Sequence, residues 1–254
     1  MNSNAITRSI RSSLIKIQIK IKEKKYNHLR YLFTSAKSEY LIVIFSGFAG
    51  GRKPVYNYIN TLKSVNANKL FLLDEYGDTT NIGSYYLGEN GDWFLVDDVL
   101  DIINQIKNDC SIKHIIMVGS SKGGSSALMY SLKMDCVDSV VIGAPQYYIG
   151  NYLMTKKHLP VLKAICGDES INSIERLNTL LPSLIQNSES KPIIYIHYSS
   201  EEHTYEEHVS PLIKDLRKHG YCVYEDSSYT YKDHKDVAKY FPQYLLHMII
   251  KLIR

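Results

Sequence analysis

Apolar residues follow two rhythms along this chain. "LIKIQIKIK" (14–22) alternates Ile15, Ile17, Ile19 and Ile21 with Lys and Gln, the period of two that marks a half-solvated strand. "YLFTS" (31–35) predicts a second strand. "YLIVIF" (40–45) is continuously apolar instead, and "KLFLLD" (69–74), "HIIMVG" (114–119), "SVVIGA" (139–144) and "PIIYIHY" (192–198) repeat that signature. Such runs predict strands covered on both faces. "YCVYED" (221–226) is a weaker eighth strand.

Helix-like segments lie between the runs. "VYNYINTLKS" follows the third strand, "DWFLVDDVLDIINQIKN" precedes the fifth and "GGSSALMYSLKM" follows it. "SPLIKDLRKHG" precedes the last strand, and "KDVAKYFPQYLLHMIIKLIR" ends the sequence. Strands alternating with helices imply crossover connections, hence a mainly parallel sheet with helices on both faces. Early antiparallel strands feeding such a sheet suit an α/β-hydrolase arrangement. Residues 147–190 interrupt the alternation with helical, polar and Pro-containing segments. The expectation is one α/β domain over 1–254 with an insertion after the sixth strand, placed where a lid or cap would sit.

Composition narrows the function. With 254 residues, 44% of them hydrophobic, the chain can bury a large core. Thirty basic against 26 acidic side chains leave a formal +4, too little for a nucleic-acid binder and compatible with an anionic substrate. Cys110, Cys136, Cys166 and Cys222 show no C-x-x-C spacing. That argues against a zinc site and gives no support for a disulfide framework, which fits a reduced cytoplasmic setting. No metal is expected. No apolar h-region suggests a secretory signal, and no run approaches the roughly 20 apolar residues of a membrane span.

The chemistry concentrates at Gly119-Ser120-Ser121-Lys122-Gly123. This G-x-S-x-G follows a buried-strand run and opens a helix, the context of a turn that exposes its central serine as a nucleophile. Gly119 and Gly123 would let the backbone fold back closely. The helix N-terminus would favour developing negative charge, and the Lys122 N–H would be one oxyanion donor. "FSGF" ends the third strand, so Gly47 or Phe48 is the candidate for the other. A packing turn is the bland alternative. A phosphate loop fits poorly, because Lys122 precedes the glycines.

A nucleophilic serine needs a base, and in such folds the chain order is serine, acid, histidine. "YTYKDHKD" after the last strand supplies His234 in a polar loop before the final helix. "HYSSEEHTYEEH" leaves the seventh strand with Glu201, Glu202, Glu206 and Glu207. Glu202 is the preferred acid, with Glu201 in reserve and Asp226 a weaker rival. His203 and His208 share that loop as substrate contacts or as surface residues.

"VGSSKGGSSAL" with "VIGAPQ" (141–146) resembles the α/β-hydrolase-type O-acetyltransferases of bacterial capsular polysaccharide synthesis. "VIFSGF", "YNYI", "FLLDEYGDTTNIGSYYLG", "SSEEHTYEEH" and "KDHKD" follow in the same order, so the resemblance spans roughly Tyr40 onward. It puts the family's nucleophile on Ser121, its histidine on His234 and its acid, an aspartate there, on Glu202. It implies acetyl transfer from acetyl-CoA, as donor substrate with no bound cofactor, to a sugar hydroxyl in the cytoplasm. The implied partners are a polysaccharide acceptor, anionic if it matches the basic excess, and capsule-synthesis machinery at the inner membrane. A carboxylesterase or deacetylase with the same triad is the first rival, and a non-catalytic scaffold the second. Oligomeric state is not legible.

Overall fold

The computed structural model describes residues 22–48, 53–78 and 81–253. Its centre is an eight-stranded sheet: β1 (Glu23–Tyr26), β2 (Leu29–Thr34), β3 (Tyr40–Phe45), β4 (Asn68–Leu73), β7 (His114–Ser120), β8 (Ser139–Gly143), β9 (Ile193–His197) and β10 (Val223–Asp226). A two-stranded ribbon of β5 (Gly77–Asp78) and β6 (Asn81–Ile82) stands apart. Strand order in the sheet is β1-β2-β4-β3-β7-β8-β9-β10. The β1–β2 and β2–β4 pairings are antiparallel and the other five parallel. This is the expected mainly parallel sheet of an α/β-hydrolase.

The continuous apolar runs have a direct cause. In β3, Leu41, Val43 and Phe45 enter one core while Ile42 and Ile44 enter the other. The first core is closed by α1 (Leu95–Asp109), α2 (Lys122–Ser131) and α7 (Ser210–Lys218), the second by α8 (Val237–Leu252). A strand buried on both faces has no solvent side to code for. Each such Leu, Ile or Val contributes on the order of 1.5–3 kcal/mol by leaving water. Between β8 and β9, residues 147–190 form α3 (Ile149–Leu153), α4 (Leu159–Cys166), α5 (Ile171–Asn178) and α6 (Leu180–Asn187). Leu153, Leu162, Ile165, Leu177, Leu181 and Ile185 root these helices in the first core.

One expectation, the alternating strand at 14–22, lies almost wholly outside the described residues, and one changes. Strand β1 at Glu23–Tyr26 forms the sheet edge. The segment 55–64 is turns rather than a helix. Tyr58 holds φ at 62°, which a right-handed helix cannot accommodate. Its tertiary contacts explain that choice: Asn57 Oδ1 accepts the Gly47 N–H at 2.9 Å, and the Tyr58 hydroxyl bonds Ser120 Oγ at 2.5 Å. Leu62 from the same loop is fully buried in the second core.

Candidate active site

Strand β7 runs out at Ser120, and α2 begins at Lys122, so Ser121 alone makes the corner. It sits at φ 53°, ψ −128°, a conformation that costs a non-glycine residue about 1–3 kcal/mol. Its N–H donates to Gly143 O at 2.7 Å, and its carbonyl accepts from the N–H groups of Gly124 and Ser125 at 2.9 and 3.0 Å. The corner is tight enough to demand both flanking glycines. A Cβ on Gly119 would stand 2.2 Å from Gly123 O, and one on Gly123 would stand 2.4 Å from Phe45 O.

The two adjacent serines part ways. Ser120 Oγ is held by Tyr58, whose burial pushes its phenol up to about 12, so the phenol stays neutral. Ser121 Oγ lies 2.6 Å from His234 Nε2. His234 opens a single 3₁₀ turn, His234–Asp236, just before α8. Its Nδ1 lies 2.5 Å from Glu202 Oε1. Glu202 is buried and also accepts the Thr204 hydroxyl. One clamp joins the two loops: Ser199 Oγ donates to Tyr231 O at 2.7 Å and accepts the Tyr231 N–H at 2.9 Å. The structure thus brings Ser121, His234 and Glu202 into one hydrogen-bonded chain from three separate strand ends.

The other acids stand elsewhere. Glu201, Glu206 and Glu207 are exposed, as is His203. Asp226 pairs with the buried His197 at 2.6 Å. A five-residue π-helical stretch, Tyr205–Val209, turns His208 inward, where its Nδ1 accepts the Tyr148 N–H at 3.3 Å. Burial, with His234 and His203 nearby, drops the His208 imidazole to about 4.

Of the oxyanion candidates, Lys122 opens α2, so its N–H has no intrahelical carbonyl to receive it. Gly47 is corrected: its N–H is already given to Asn57 Oδ1, which leaves Phe48 as the candidate. The Lys122 side chain, unexpectedly, is fully buried, with Nζ 2.7 Å from Asp74 Oδ2. Asp74 also accepts from the Ser84 N–H and hydroxyl at 2.7 and 2.9 Å and from the Tyr86 N–H at 3.0 Å. Desolvation lowers the Lys122 ammonium, and Asp74 opposes that shift.

Three further contributors, Gln146, Tyr152 and His158, are not singled out as site residues from the sequence. Gln146, fully buried just past β8, donates its Nε2–H to Ser121 Oγ at 2.9 Å. The signal that marks it is Ala-Pro-Gln at the end of the strand beside β7. The insertion supplies Tyr152 and His158, whose rings stack at 4.9 Å, and Phe48 also stacks on His158 at 5.7 Å. Tyr152 also faces His234, with centroids 6.2 Å apart. Burial, then the Glu202 charge, raises the Tyr152 phenol to about 12, opposed by its hydrogen bond with Ser121. Burial, then Lys157 and His234, lowers His158 to about 4. Both rings are therefore neutral near pH 7.

Among the described residues, no group of three His, Cys, Asp or Glu side chains is placed to hold a metal ion. Cys110, Cys136, Cys166 and Cys222 are free thiols. No described helix is long and apolar enough to cross a membrane.

No protein-family model and no curated protein sequence matches this chain. Solved structures do match. The capsule O-acetyltransferase of Neisseria meningitidis serogroup A superposes with a TM-score of 0.76 at 23% identity, covering 90% of this chain and 93% of that one. A histidine-to-alanine variant of that enzyme in complex with CoA superposes at 0.71 with 22% identity, covering 89% and 94%. The fluorophosphonate-binding serine hydrolase F of Staphylococcus aureus follows at 0.63 with 14% identity, covering 89% and 92%. These likenesses establish the α/β-hydrolase fold over nearly the whole length of each partner.

Proposed function

We propose that this chain is an O-acetyltransferase that carries an acetyl group from acetyl-CoA to a hydroxyl of a bacterial capsular or other surface polysaccharide. The carrying observation is the unbroken chain from Ser121 Oγ through the His234 imidazole to the buried Glu202 carboxylate, at 2.6 and 2.5 Å. The fold shared with a capsule O-acetyltransferase, one variant of which was solved with CoA, supports the donor and the acceptor class.

The reaction is a double displacement. His234 Nε2 takes the Ser121 proton as Oγ attacks the thioester carbonyl, and Glu202 stabilises the imidazolium that forms. The Lys122 N–H and the Phe48 N–H hold the oxyanion, each such donor being worth about 2.7–4 kcal/mol in comparable sites. Collapse expels the CoA thiolate, which takes the proton from His234. A sugar hydroxyl then gives its proton to His234, attacks the acetyl-serine carbonyl, and Ser121 is released. The 147–190 helices act as a cap, with Tyr152 and His158 forming an aromatic wall against which a sugar ring can lie. Lys156 and Lys157, adjacent to that wall, suit a phosphate- or carboxylate-bearing ligand. Acetyl-CoA as donor places the reaction in the cytoplasm.

The same site would serve a serine esterase, and the likeness to a serine hydrolase favours that second reading. Release of CoA from acetyl-CoA, measured with and without a panel of de-O-acetylated capsular polysaccharides, separates them. A transferase shows glycan-dependent CoA release and an O-acetylated polymer. CoA release that no glycan alters, or none at all, contradicts the proposal.

A further inference from the structure

Gln146 is held at both ends. Its peptide N–H donates to Ser125 Oγ at 2.8 Å, and its own carbonyl accepts that hydroxyl at 2.8 Å. The buried Tyr85 hydroxyl donates to Oε1 at 3.3 Å, which fixes the amide so that its NH₂ faces the serine. Nε2 lies 2.9 Å from Ser121 Oγ and 3.4 Å from His234 Nε2. Since the serine proton points at His234, the amide N–H meets a lone pair of Oγ. A fully buried glutamine is costly unless its polar atoms are bonded, and here the shorter contact of its amide NH₂ is to the reacting oxygen.

We propose that Gln146 is a further catalytic residue, whose amide stabilises Ser121 Oγ as the leaving group when the acetyl group moves on. This deepens the acyl-transfer reading and rests on it. In acetyl-serine, Oγ is an ester oxygen and a weak acceptor. When the acceptor's oxygen has attacked, the tetrahedral intermediate collapses by breaking the carbon–Oγ bond. The electron pair goes to Oγ, and the proton that His234 took from the acceptor goes to Oγ from Nε2. Negative charge grows on Oγ during that collapse, so the Gln146 hydrogen bond strengthens toward the transition state. In the first half-reaction the amide already bonds the free hydroxyl, so it gains less. The effect is therefore asymmetric: Gln146 speeds loss of the acetyl group more than its loading.

The test uses Gln146→Met, which keeps the volume and removes the donor, and Gln146→Glu, whose carboxylate cannot donate at neutral pH. Full-length protein is mixed with acetyl-CoA and quenched in time, with CoA release and intact mass recorded. Decay of the acetyl-enzyme is followed in water and with hydroxylamine as the probe acceptor. The expected result is a burst of CoA near the wild-type rate, then acetyl-enzyme decay slowed about 10- to 100-fold, the span of one charge-assisted hydrogen bond. Decay at the wild-type rate in folded variants, or equal slowing of both half-reactions, overturns the role of Gln146 while leaving acyl transfer intact. Folding is checked by thermal unfolding and by fluorophosphonate labelling of Ser121, and if the Met variant does not fold, the Glu variant carries the test. A wild-type protein that never acquires an acetyl group overturns the acyl-transfer reading, and this inference with it.

Discussion

Lys122 Nζ lies 2.7 Å from Asp74 Oδ2 with both side chains fully buried, directly behind the turn that presents Ser121. The pair ties the end of β4 to the first residue of α2, and so fixes the peptide whose N–H would face an oxyanion. Desolvation works against the lysine charge, and Asp74 is what sustains it. Asp74→Ala is expected to cost about 3–5 kcal/mol in urea unfolding, because a buried charge is left without its partner. The combined Lys122→Met, Asp74→Leu protein is expected to lose less than the two single changes added together. In Asp74→Ala the folded-state lysine titrates further below the ordinary 10.5, so the unfolded chain binds more protons and stability recovers as pH rises toward 10.5.

The neighbouring glutamates separate cleanly. Glu202 is buried against His234, whereas Glu201 is exposed, with its N–H donated to Ser199 Oγ at 3.3 Å. Glu202→Gln is expected to lower kcat about 10³- to 10⁴-fold, the loss seen when a triad acid cannot hold the imidazole in its working tautomer. Glu201→Gln is expected to stay within about twofold, as exposed substitutions usually do. Steady-state acetyl-CoA turnover checks both.

His208 gives the stability a pH signature. Burial beside Tyr148 and Tyr152, then the nearby His234 and His203, holds it near 4 against 6.5 for a free imidazole, and Glu202 opposes that shift. Between these values the unfolded chain binds the extra proton, so His208 withdraws stability as pH falls from 6.5 toward 4, up to about 3 kcal/mol in all. His208→Gln is expected to flatten that part of the profile, read as urea midpoints at stepped pH.

Much of this was readable in the sequence because its causes are local. Continuous apolar runs mark strands with two covered faces, and Gly119 and Gly123 mark a corner with no room for a Cβ. Chain order pointed to Ser121, an acid in the 201–207 loop and then His234, each following a different strand of a mainly parallel sheet. What was not readable depends on distant partners. Lys122 is a residue type normally solvated, and its burial depends on Asp74, 48 positions away, and on the Tyr86 ring 4.6 Å from its Nζ. Gln146 meets Ser121 because β8 lies beside β7, which no local pattern encodes. The 55–64 segment reads as helix-like after the third strand, yet Asn57 and Tyr58 spend their side chains on Gly47 and Ser120, and the chain turns instead.

The central claim is that Ser121 carries the acetyl group. Incubation with acetyl-CoA, acid quench and peptide mapping by mass spectrometry test it directly. The account predicts one acetyl group on Ser121, none on Ser120 or Ser125, and no acetyl-enzyme in Ser121→Ala or His234→Ala. An acetyl group on another residue, or acetyl transfer by Ser121→Ala at the wild-type rate, would contradict it.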